Sequence, residues 1–364
     1  MIRVIHMIGS LNIGGSQTMI MNLYRKIDKE QIQFDFVIDH PNDLYFADEV
    51  KSMGGKIFVL PTFRGTNIRQ IKKSWNQFFI DHPEYKILHS HVRSYASLYI
   101  PIAKKHGLKT IIHSHSTANG HGLSSIVKRV MQYPLRYQAD CFFGCSKEAS
   151  IWLFGKKVVA SDRHVILKNA IDTQKYQFQE SVRQKYREKL KLGDKRTYIH
   201  VGRFHSAKNH EFLLNLFSEL HKQQPHSVLV LVGDGELRLA IEAQIQKLGL
   251  EQDVKLLGAR NDIPQLLQAA DVFLFPSLYE GLGIVAIEAQ AAGLPTFCSD
   301  VIPREVAVSE LCSFLPLDNP SVWAERILSF DLMRKDCSDN IIEAGYDIKS
   351  TAQWLENFYL QIDK

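Results

Sequence analysis

PSLYEGLGIVAIEAQAAGLP, residues 276–295, is the stretch whose reading decides the fold. The apolar run Val272-Phe273-Leu274-Phe275 precedes it and breaks at Pro276-Ser277. A glycine-punctuated loop follows, Glu280-Gly281-Leu282-Gly283, and then a small-residue helix that closes at Gly293-Leu294-Pro295. Strand, loop and helix in that order put the loop at the carboxyl end of the strand, where open α/β sheets bind ligands. Free N–H groups at the start of such a helix suit a phosphate. Glu280 and Glu288 flank that start, with seven residues between them. Carboxylates repel a bare phosphate but accept hydrogen bonds from hydroxyls. The pattern therefore fits a phosphorylated, hydroxyl-rich ligand such as a nucleotide sugar.

Glu280 and Glu288, with GLGIVAI between them and FPSLYEGLG and AAGLP around them, resemble the E-x7-E motif of the retaining glycosyltransferases of family 4. These are group 1 glycosyltransferases of capsular and exopolysaccharide type. The resemblance implies a GT-B fold: α/β, with two Rossmann-like parallel-sheet domains facing across a cleft. It gives Glu280 to the donor sugar, Glu288 to the ribose hydroxyls, and the backbone amides of Gly281, Leu282 and Gly283 to the diphosphate. No side chain is required as a covalent nucleophile. The family retains anomeric configuration, by a route that the sequence leaves open.

Upstream, Val201-Gly202-Arg203-Phe204-His205-Ser206-Ala207-Lys208 follows another strand-like run. Arg203 offers a planar fork to phosphate and Lys208 a point charge. Cations fixed beside a departing diphosphate stabilise the transition state more than the ground state. The stretch is similar to the family's G-R-x4-K site, although a solvated basic loop would read the same way. Gly233, in the turn Gly233-Asp234-Gly235, and Arg260, after Leu257-Gly258-Ala259, fall where the family's donor nucleotide passes. Asn169 matches the family's domain junction, with Ala170 in place of its glycine.

The first half opens with Arg3–Ile8, a buried strand, then a loop with Gly14-Gly15 and a helix over about 17–27. G-x-G-x-x-G spacing is absent, which argues against a nicotinamide or flavin site. The resemblance places Gly14 and Gly15 on the acceptor side; a loop made only for close packing is the alternative. His89 and His91, and His113 and His115, are paired two apart at strand ends. Each pair therefore shares a face and could ligate a metal. No Asp-x-Asp accompanies them, so no metal site is expected and no metal is required. By resemblance His115, or else His113, hydrogen-bonds the donor sugar.

Twelve strand-like runs alternate with helical segments, seven before residue 170 and five from Thr197 onward. Such alternation predicts parallel sheets flanked by helices. The domains expected are 1–170 for the acceptor, with a C-terminal helix 350–364 packing back on it, and 171–349 for the linker and the donor nucleotide. In that helix Trp354, Leu355 and Phe358 share one face. The whole chain of 364 residues is long enough for two such domains.

Charge divides unevenly. Residues 1–170 carry 23 Lys and Arg against 12 Asp and Glu, whereas the rest is net acidic. A basic half suits an anionic membrane surface, a lipid diphosphate or nucleic acid; the resemblance implies no nucleic acid. Five cysteines without metal spacing read as free thiols, Cys141 and Cys145 buried among them. No signal peptide or spanning run is evident. The expectation is a cytoplasmic protein, peripheral on the inner face of the cell membrane if the basic half binds there.

The resulting expectation is a retaining hexosyl- or N-acetylhexosaminyltransferase. It would use a UDP-sugar first of all, without a cofactor, and a saccharide or lipid-linked saccharide acceptor. An epimerase of GT-B architecture and a non-catalytic binding subunit are the alternatives.

Overall fold

The computed structural model describes residues 1–12, 14–42, 44–115, 123–331 and 333–363, with only the backbone for 123–127. The chain divides into two compact units, Met1–Ala170 with Gly345–Lys364, and Ile171–Ala344. The chain re-enters the first unit at Gly345, five residues before the expected Ser350.

In the first unit seven parallel strands pair in the order β3-β2-β1-β4-β5-β6-β7. They are β1 (Ile2–Gly9), β2 (Ile32–Ile38), β3 (Ile57–Val59), β4 (Ile87–Ser90), β5 (Lys109–Ser114), β6 (Cys141–Gly144) and β7 (His164–Ile166). Every residue of β2 is buried. Parallel sheets covered by helices on both faces read as continuous apolar runs, which is why the sequence shows them so clearly. Alternate residues feed two cores. Val4, Phe34 and Phe36 pack with Leu355 and Tyr359 on one face. Ile5, Met7 and Val37 pack with Trp75 and Tyr99 on the other.

The last helix, Ile348–Ile362, closes the first of these cores. Its buried face is Ile348, Ala352, Leu355 and Tyr359; of the expected face Leu355 is buried and Phe358 packs half-buried on the same core, whereas Trp354 is 41% exposed. The Glu356 carboxylate accepts from the Asp28 backbone N–H at 2.6 Å. Asp35, wholly buried in β2, is satisfied by Arg3 (2.6 and 2.5 Å), by the Tyr85 hydroxyl (2.7 Å) and by the Lys56 N–H (2.6 Å). A buried carboxylate is tolerable only when its charge is paired and its lone pairs are used.

The second unit has six parallel strands, one more than expected, in the order β10-β9-β8-β11-β12-β13. They are β8 (Arg196–Val201), β9 (Ser227–Val232), β10 (Val254–Leu256), β11 (Val272–Phe275), β12 (Thr296–Ser299) and β13 (Cys312–Leu315). The extra strand is β13, a half-buried edge strand. The residues expected to be linker and surface helix fold as Thr173–Tyr176 and Glu180–Lys189 within this unit. All five cysteines are free; Cys141 and Cys145 are half-buried rather than buried.

Candidate functional site

The order of the second sheet reverses direction between β8 and β11. The carboxyl ends of strands at such a switch point form the crevice in which open α/β sheets bind ligands. The loop after β8 holds Gly202, Arg203 and Lys208, and the loop after β11 holds Glu280 to Gly283. The Leu278 N–H donates to the Ala207 carbonyl at 2.8 Å and ties the two loops together. Lys208 Nζ then meets Glu280 Oε1 at 2.6 Å, with the two side chains 18% and 12% exposed. The same ammonium lies 4.8 Å from the centre of the Phe275 ring. Two residues read from separate motifs thus form one shielded ion pair.

Backbone constraints hold these loops in place. Gly233 has φ +143°, and a Cβ there would lie 2.0 Å from the Gly202 carbonyl oxygen, so the turn after β9 packs directly on the loop after β8. Gly283, at φ +89°, stands before the helix Ile284–Ala291, and no side chain caps that helix. The Ala286 N–H donates to the Gly283 carbonyl at 2.9 Å, and the other first-turn N–H groups belong to the orphan donors that a helix N-terminus presents.

Glu288 lies on that helix and is half-buried. The hydroxyl of Tyr176 donates to it. Burial pushes the Glu288 carboxyl up to about 7, against the opposing pull of the Tyr176 hydrogen bond. Tyr176 was not singled out from sequence, because it sits in a polar stretch that reads as linker.

Two expected cations have partners of their own. Arg203 is 73% exposed and pairs with Glu236 at 3.2 Å. Arg260 holds Asp262 through two contacts, at 2.8 and 2.5 Å. Near the opposite, amino edge of the sheet a cavity of about 520 Å³ is lined by Arg183, Arg187, Arg196 and His226. Asp194 and Asp271 line it too, and two of its arginines are already engaged. Arg183 is spent on Asp271 and on the carbonyls of residues 268–270, and Arg187 on those of Gly193, Lys195 and Ala269.

In the first unit Gly14 and Gly15 open the helix Gly15–Lys26 after β1. A side chain at Gly15 would meet nothing within 4 Å, so packing alone does not require that glycine. His113 is fully buried, whereas His115 is half-buried at the sheet edge. Both join a stack with His6, His89 and His91. His6 Nδ1 and His91 Nε2 are 3.0 Å apart, and His91 Nδ1 and His115 Nε2 are 2.8 Å apart. The period-two pairs were legible. That β1 adds His6 to them follows only from its register opposite His89.

Residues 182–346 match the family described as Glycosyl transferases group 1, and residues 13–175 match Glycosyltransferase Family 4. The chain is 32% identical over 368 residues to EpsF of Bacillus subtilis (strain 168), to which a glycosyltransferase activity is ascribed. That alignment covers 98% of this chain and 96% of EpsF. The chain belongs to the group 1 glycosyltransferases. A further relative of this transferase is the UDP-Gal:alpha-D-GlcNAc-diphosphoundecaprenol alpha-1,3-galactosyltransferase of Escherichia coli, 24% identical over 96% of this chain and 94% of that one. Among solved structures, HepE of Anabaena in complex with UDP superposes with a TM-score of 0.80 at 17% identity. It covers 99% of the transferase and 100% of HepE. With its two parallel-sheet units, the transferase has the GT-B fold.

Proposed function

We propose that the protein transfers a hexose or N-acetylhexosamine from a nucleoside-diphosphate sugar, a UDP-sugar first of all, to a saccharide or lipid-linked saccharide. The transfer retains anomeric configuration and serves assembly of a bacterial capsule or exopolysaccharide. The observation that carries this reading is the convergence at the β8–β11 switch point of Lys208, Glu280, an uncapped helix start and Glu288. A diphosphate fits the helix N–H groups with Lys208 beside it, and hydroxyls fit the two carboxylates. The leaving diphosphate is then balanced by side-chain and backbone donors, with no metal required on it. The UDP complex of HepE and the UDP-galactose named for the Escherichia coli relative support the choice of nucleotide.

For the acceptor, a cavity of about 720 Å³ lies in the first unit, beside the carboxyl ends of β1 and β2. Phe63, Tyr95 and Met131 give it an apolar wall, and Arg64, Lys128 and His40 line it together with Asp39, whose carboxylate accepts from the Tyr95 hydroxyl. That composition suits an amphipathic, phosphate-bearing acceptor. The diphosphoundecaprenol acceptor named for the Escherichia coli relative supports the same class. Such an acceptor would hold the protein peripherally at the inner face of the membrane. Among the described residues no helix is long and apolar enough to cross it.

The test is a panel of UDP-, GDP- and ADP-sugars, measured by thermal shift with EDTA present on wild type and Glu288→Ala. Stabilisation by UDP-sugars that the variant loses is expected. An equal response from both proteins, or none from either, would refute the donor site.

A further inference from the structure

We propose that His91, His113 and His115 bind one divalent transition-metal ion of the zinc type at the carboxyl edge of the first sheet. These residues come from the ends of β4 and β5, where period-two spacing turns them to one face. One ring nitrogen from each lies within 4.8 Å of the other two. His113 is wholly buried, yet neither of its ring nitrogens has a protein partner; His115 Nδ1 also has none. Buried polar atoms left unsatisfied are costly and are rare in native proteins. Coordination would satisfy one of the two His113 nitrogens, since each ring gives a single ligand atom.

The chemistry of the donor set selects the ion. Three imidazoles suit zinc, cobalt, nickel or copper, and an all-nitrogen trio does not suit magnesium or calcium. Imidazole ligates in its neutral form. A tetrahedral ion with metal–nitrogen bonds of about 2.0–2.1 Å sets its ligand atoms roughly 3.3 Å apart. The hydrogen-bonded 2.8 Å pair of His91 and His115 would therefore open by about half an ångström, within reach of small ring rotations. The fourth position falls to water or an anion.

A second trio, His6, His89 and His91, has comparable spacing. It is less suited. His6 and His89 are fully enclosed, and His89 Nδ1 is already held by the Tyr359 hydroxyl at 2.6 Å. The half-buried His115 gives the chosen trio an entry path.

The inference concerns metal binding measured without donor or acceptor, so its failure leaves the transferase reading untouched. Full-length protein freed of metal with EDTA and desalted is titrated with Co²⁺, whose visible absorption reports coordination, and then with Zn²⁺ in competition. One Co²⁺ per chain is expected, with the strong visible bands of a four-coordinate site, displaced by Zn²⁺ and lost in His113→Leu. His115→Gln, at the sheet edge, serves as the second variant if loss of a core ring unfolds the protein, and circular dichroism checks each fold. Absence of stoichiometric Co²⁺ binding would overturn the proposal. So would bands retained in both variants, or bands lost in His6→Leu but kept in His113→Leu.

Discussion

Replacing Glu288 by Gln should change stability and nucleotide binding in a way that depends on pH. The carboxyl is raised from its ordinary 4.5 to about 7 by burial, so its charged form is disfavoured in the folded protein. For a raised acid the native state holds the proton more tightly than the unfolded chain. The penalty is absent below pH 4.5, grows as pH rises to 7, and is complete above that. At about 1.4 kcal/mol per unit it amounts to roughly 3 kcal/mol at pH 8 and under about 1 kcal/mol at pH 5. The Gln variant keeps the shape and an acceptor for Tyr176 but carries no charge. It should gain about 2–3 kcal/mol over wild type between pH 5 and pH 8. In a unit spanning residues 171–344, that is a relative shift of about 5–10 °C in the calorimetric transition. Effects of other titrating groups cancel in the comparison.

Donor binding should run the opposite way. Ribose hydroxyls hydrogen-bond best to the ionised carboxylate, so bound nucleotide pulls the proton off Glu288. Wild-type affinity for UDP should fall about tenfold from pH 8 to pH 6, and calorimetry in buffers of different ionisation enthalpy should show proton release near pH 7. The reasoning would be refuted by a constant gap between the two proteins across pH together with a pH-independent UDP affinity.

Lys208→Ala should lower transfer by about 10²–10³-fold, the usual loss when one donor to a developing negative charge is removed, while circular dichroism stays unchanged. Gly233→Ala must push its Cβ away from the Gly202 carbonyl; a cost of about 1–3 kcal/mol should lower the melting temperature of the second unit by several degrees. The buried histidines give the first unit an acid limit. His6 and His115 are lowered to about 3 by burial, and His89, His91 and His113 lie well below their usual value. The unfolded chain takes up these protons below about pH 6.5, so stability should fall as pH drops, by up to about 1.4 kcal/mol per unit for each ring. Urea titrations at pH 7.5, 6 and 5 check this, and His113→Leu should lessen the slope.

Both sheets were legible because strands covered on two sides leave unbroken apolar runs such as Val272–Phe275 and Ser227–Val232. β13 was not, since four half-buried residues at a sheet edge give neither an apolar run nor alternation. Lys208 and Glu280 could be singled out one by one. Their pairing depends on β8 and β11 being neighbours, which no local pattern states. The partners that occupy Arg203 and Arg260 were in plain view in the sequence, but an exposed acid such as Glu236 looks the same whether paired or not. Tyr176 was hidden by its polar neighbours, although its ring packs into the second unit and its hydroxyl reaches Glu288. Asp35 sat within an apolar run, and only the fold brings Arg3 and Tyr85 to it.

The most direct test of the donor site is diffraction from crystals soaked with UDP. The ribose should hydrogen-bond Glu288, and the diphosphate should lie on the amides of Gly281 to Gly283 within reach of Lys208. UDP bound instead in the arginine-lined cavity at the amino edge of the same sheet, or anywhere away from the β8–β11 crevice, would contradict the account.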